Sequence, residues 1–171
     1  MALVVTGTLP VDCARGGRRA RATIVTMTYD DVPPLLPPDQ VPAIRTADDL
    51  HGAWRALMGP LGFARRSVWL LFLTADGRPA GPLFSIDDLP DGPYDLAVDD
   101  LVSVCEEILG GPGERGSVAV LMTRPGRDPW HVADRAWGRW LTAVARRIEG
   151  PTWPVHRAND LELVPEPLTE S

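Results

Sequence analysis

The chain contains no lysine; all 17 of its basic residues are arginine. Asparagine and glutamine occur once each, as Asn159 and Gln40, while Ala, Gly, Pro and Arg abound. That bias matches a GC-rich bacterial coding genome, of the actinobacterial kind, and carries no chemistry by itself. Positive charge is short overall: the net charge of −6 disfavours a general nucleic-acid-binding role, which needs a basic face. The local exception is Arg15, Arg18, Arg19 and Arg21 around Gly16 and Gly17, which reads as the exposed tip of a hairpin. The two cysteines, Cys13 and Cys105, have neither metal-ligand spacing nor a disulfide framework. No apolar run approaches the roughly 18 residues that span a bilayer, and the longest, residues 68–74, is strand-sized. The N-terminus has no basic stretch ahead of its short apolar run, so no secretory leader is expected and a cytoplasmic location is. No repeat of 20–50 residues is visible.

What is present is the composition of a globular protein, with 44% hydrophobic and 23% charged residues over 171 positions, enough for one domain with a real core. Residues 3–8 and 22–29 are β-rich, and Pro33, Pro34, Pro37, Pro38 and Pro42 bar regular structure over 30–42. Residues 1–42 are expected to form an N-terminal β-hairpin and Pro-rich linker, residues 43–165 the main α/β domain, and 166–171 an acidic tail. Thr46 reads as an N-cap with acids in the following turn, and Leu50, Trp54, Leu57 and Met58 recur at helical spacing until Gly59-Pro60. Residues 67–74 form a continuous apolar strand, Asp76-Gly77 a turn, and 82–86 the return strand. A second helix runs over 98–109 through Leu101, Val104, Cys105 and Ile108, with Cys105 as a small core residue. Residues 117–122 are a buried strand. Asp128 and Pro129 are then expected as cap and first residue of the clearest helix, whose apolar stripe is Val132, Ala133, Ala136, Trp137, Trp140, Leu141, Val144 and Ile148. Arg135, Arg139, Arg146 and Arg147 are expected to face water, and 155–164 forms a last strand. A strand, helix, strand succession favours a sheet with some parallel pairing and helices on its faces.

In such sheets ligands gather at strand carboxyl ends, beside the following helix N-termini. Here that place is the turn 122–134, with Arg124, Arg127, Trp130, His131 and Asp134 as candidate ligand-binding residues. The arginines and the helix N-terminus could hold an anion, or the turn could be an ordinary loop with solvated arginines. His131 and Asp134 stand three apart on a helix and could do acid–base work with Thr123 or Ser117, although a local salt bridge is the commoner use of such a pair. His51 and His156 are isolated in sequence and expected as surface or packing residues. Trp130 and Trp153 could line a pocket, anchor a partner, or pack against neighbouring prolines.

Three segments, Val-Trp-Leu-Leu-Phe-Leu-Thr-Ala-Asp-Gly, Asp-Asp-Leu-Val-Ser-Val-Cys-Glu-Glu-Ile-Leu and Ser-Val-Ala-Val-Leu-Met-Thr-Arg-Pro-Gly-Arg-Asp-Pro-Trp-His-Val-Ala-Asp, carry a resemblance. Residues 67–165 resemble a degenerate member of the RadC/JAB (MPN, JAMM) family. The resemblance implies a three-layer, deaminase-like mixed sheet flanked by helices. Family members hold zinc at this turn through His-x-His-Pro-x-Gly followed by Ser-x-x-Asp, with an upstream glutamate as general base. The histidine positions fall on Met122 and Arg124, the proline on Pro125, and Ser-x-x-Asp on the run from His131 to Asp134, with one residue fewer between. Only Asp134 matches a ligand, and Arg65 and Arg66 stand where the glutamate is expected. A hydrolytic zinc needs about three protein donors, and an arginine has no lone pair to give. The expectation is therefore a module with no catalytic residues, metal or cofactor, binding a protein partner or a second copy of itself. The alternative is a divergent enzyme or anion binder built on 124–134.

Overall fold

The computed structural model describes residues 41–110 and 116–166. The hairpin expected over residues 3–29, the start of the linker and the tail beyond 166 lie outside the described residues. The elements are α1 (Ala47–Met58), β1 (Ser67–Leu73), β2 (Phe84–Asp87), α2 (Val98–Ile108), β3 (Ser117–Thr123), α3 (Val132–Arg147), β4 (His156–Ala158) and β5 (Leu163–Pro165). The sheet order is β2-β1-β3-β4-β5. β1 is antiparallel to both neighbours, β3 and β4 are parallel across the α3 connection, and β5 returns antiparallel to β4.

The pleat divides the core in two. Val68, Leu70 and Phe72 of β1 and Val118, Val120 and Met122 of β3 pack with α2 and α3. Leu71 and Leu73, with Ala119 and Leu121, pack with Leu50, Trp54 and Met58 of α1. Helices thus cover both sheet faces, which is why β1 and β3 read as unbroken apolar runs rather than alternating ones. Thr46 caps α1 as expected: its hydroxyl accepts from Asp49 N–H at 3.1 Å, and Asp49 accepts from Thr46 N–H at 2.9 Å. Cys105 is fully buried, and burial pushes its thiol up to about 12, with Glu106 adding to the rise.

Two boundary expectations are corrected. The last strand is two strands, because Asn159 makes a turn inside it: its Oδ1 accepts from Leu161 and Glu162 N–H, each at 2.9 Å. The cap of α3 is His131 rather than Asp128, and the helix begins at Val132. Arg124 causes the delay by donating to the carbonyls of Asp128 and Pro129, which takes those residues out of the helical ladder.

Register decides where the loops go. Ser67 opposes both Asp87 and Thr123, and Thr123 opposes Ala158. The carboxyl ends of β2, β3 and β4 therefore meet the amino end of β1 at one end of the sheet.

Candidate functional site: an arginine-filled turn

The side chain at the centre of this loop end is Asp134, in the first turn of α3 and 2% exposed. Its Oδ1 accepts from Arg66 Nη2 at 3.3 Å. Its Oδ2 accepts from the His131 backbone N–H at 3.1 Å, and His131 Nδ1 lies 3.2 Å away. Arg124 Nε lies 3.1 Å from the same Oδ2 without its N–H aimed at it, so that contact is coulombic. Two guanidiniums thus converge on one buried carboxylate. Burial without such partners would cost several kcal/mol per ion.

Arg124 follows β3 directly and is itself only 5% exposed. Its Nη1 donates to Pro125 O at 3.1 Å, and its Nη2 donates to Asp128 O and, at 3.2 Å, to Pro129 O. The guanidinium organises its own loop. It also lies over the Trp130 ring, 4.7 Å from the centroid, and Arg157 lies over the same ring at 4.8 Å. Each such contact contributes roughly 0.5–2 kcal/mol when partly desolvated. Trp130 Nε1 donates to Glu162 at 2.8 Å, which ties the β3–α3 loop to the β4–β5 turn. A second tie is Asp160, whose carboxylate accepts from Gly126 N–H at 2.8 Å and Phe63 N–H at 2.9 Å. Gly126 makes its bend at φ +90°, a conformation that favours glycine. Arg66 completes the cross-linking by donating to Pro90 O and Asp91, each at 3.1 Å.

Of the five candidate residues, Arg124, Trp130, His131 and Asp134 come together, while Arg127 is exposed and apart from them with no hydrogen bond or ion pair among the described residues. Arg124 is not the solvated arginine of an ordinary loop. Trp130 is 9% exposed and serves as packing between cations rather than as an open anchor. Trp153 is half-buried and donates to Ser117 Oγ at 2.9 Å. The two candidate hydroxyls are engaged elsewhere: Thr123 Oγ1 accepts from Trp69 Nε1 at 3.0 Å, and Ser117 accepts from Trp153. Neither is joined to the His131–Asp134 pair. Among the described residues, no group of three or more His, Cys, Asp or Glu could hold a metal ion. Sequence reasoning missed Arg157, Asp160 and Glu162, and it took Arg66 only as the occupant of an acid's place. Arg66 and Asp134 are 68 positions apart, and no local pattern announces such a pair.

The exposed large hydrophobic side chains among the described residues are Tyr94 (76%), Val132 (74%) and Leu161 (56%). They lie on the loop leaving β2, the first position of α3 and the β4–β5 turn. No helix among the described residues is long and apolar enough to cross a membrane. No protein-family model matches the chain, and comparison with curated proteins finds no match.

Proposed function

We propose that this chain is a non-catalytic interaction module, a JAB/MPN-like scaffold of the deaminase-like type in which an internal ion cluster stands where the family's metal would. The observation that carries this reading is the state of Asp134. Its oxygens are engaged by Arg66, Arg124 and His131, and a dication brought there would meet two fixed positive charges. Such a centre can order loops but has no open coordination position for water activation. Tyr94, Val132 and Leu161 are exposed apolar side chains that a protein partner or a second copy of the chain would cover. The alternative, an anion or small-ligand site at 124–134, has less support because the Arg124 guanidinium is committed to its own loop carbonyls.

Crystals exposed to zinc test the non-catalytic half through anomalous scattering at the zinc edge. The expected map has no peak within bonding reach of Asp134, and a peak there would sink the reading. Sedimentation velocity tests the interaction half: wild type is expected to self-associate with rising concentration, and Val132→Asp/Leu161→Asp to stay monomeric. Identical monomeric profiles for both proteins would remove the homodimer form of the proposal.

A further inference from the structure

His51 and His156 are separated by most of the described chain, yet their rings stand 5.7 Å apart between centroids, tilted by 37°. His51 projects from α1 and is half-buried. His156 opens β4 on the sheet face that α1 covers, and is 1% exposed. Its Nδ1 lies 3.0 Å from the Pro154 carbonyl oxygen. A carbonyl can only accept, so Nδ1 carries the ring proton and Nε2 carries the lone pair. That Nε2 makes no hydrogen bond or ion pair among the described residues.

We propose that His51 and His156 form a two-imidazole binding site for an imidazole-preferring divalent transition ion such as Zn²⁺, on the α1 side of the sheet and away from Asp134.

Two features of the geometry support the site. Imidazoles bound to one zinc at about 2.0–2.1 Å place their ring centroids roughly 5–6 Å apart, which the observed separation meets. A backbone carbonyl on the far ring nitrogen is the usual outer partner of a metal-bound histidine, because it fixes both tautomer and ring orientation. The ion's remaining positions would be filled by water, reached past the half-buried His51.

Isothermal titration of chelator-treated protein with Zn²⁺, paired with ¹⁵N-detected imidazole NMR, tests the site. The expected result is one equivalent bound, with simultaneous shifts of the His51 and His156 ring nitrogens. His51→Ala, on the accessible partner, is expected to weaken binding at least tenfold. His156→Gln removes the buried ligand, and His51→Ala keeps the test decisive if that variant does not fold. No saturable binding at millimolar Zn²⁺, or binding that His51→Ala leaves unchanged, would overturn the proposal. Zinc found at Asp134 would contradict the proposed function while leaving this site to be judged on its own variants.

Discussion

Asp134 sets the chemistry of the loop end through what surrounds it. A carboxylate in the first turn of a helix is already favoured by the helix dipole and here also takes the His131 N–H. Arg66 and Arg124 add two positive charges from different strand ends, so the acid's oxygens face inward to the protein rather than outward to a ligand. Met122 reinforces this: at 1% exposure it fills the α2–α3 core where the family resemblance would place a histidine. His156 gives a second residue-scale prediction, this one in pH. Its folded-state pKa lies below the ordinary 6.5, chiefly through burial, so on acidification the unfolded chain takes up the proton first. Its contribution is therefore intact above the unfolded value of about 6.5 and is lost as pH falls from there through the lower folded-state value. Denaturant melts in chelator at pH 7.5 and 5.5 are expected to show a larger loss for wild type than for His156→Gln. Equal losses would remove this account.

At the scale of elements, what was legible depended on whether the determining contacts were local. The Thr46 cap, the Gly59 stop and the Asp76-Gly77 turn are set by neighbours within a few positions, and the structure contains each of them; the α3 stripe is buried at Trp137, Leu141, Val144 and Ile148, whereas Val132, expected at its head, is exposed on the first turn. Thr46→Ala is accordingly expected to cost about 0.5–2 kcal/mol in a denaturant melt, since only the cap bond is lost. A change within error would show that Asp49 alone holds the helix start. Asp128-Pro129 has good capping chemistry and so predicts an earlier start for α3, whereas Arg124 takes the carbonyls that a helix there would use. The split of the last strand did have a local signal in Asn159-Asp160, the chain's sole asparagine beside a turn-forming acid. The partners of Trp130 had none, since Glu162 lies 32 positions away and Arg157 reaches the ring only because β4 pairs with β3.

For the whole molecule, the sheet's register gathers four chain ends, and the Arg66, Asp160 and Trp130 contacts lock them together. The succession of elements foretold an α/β protein with helices on the faces of its sheet. The convergence of the turn on a buried ion cluster was not foretold, because it depends on strand order. The central claim is that this cluster exists to hold the loop end in shape. A double-mutant cycle in stability, with Arg124→Met, Asp134→Asn and both together, addresses it most directly. Breaking a buried ion pair from one side costs about 3–5 kcal/mol, and partners in contact are not additive. Each single variant is therefore expected to unfold at clearly lower denaturant, with the double variant losing less than the sum. Residues retained for chemistry or ligand capture often leave stability unchanged, or raise it, when replaced. Singles as stable as wild type, or more so, would contradict the account.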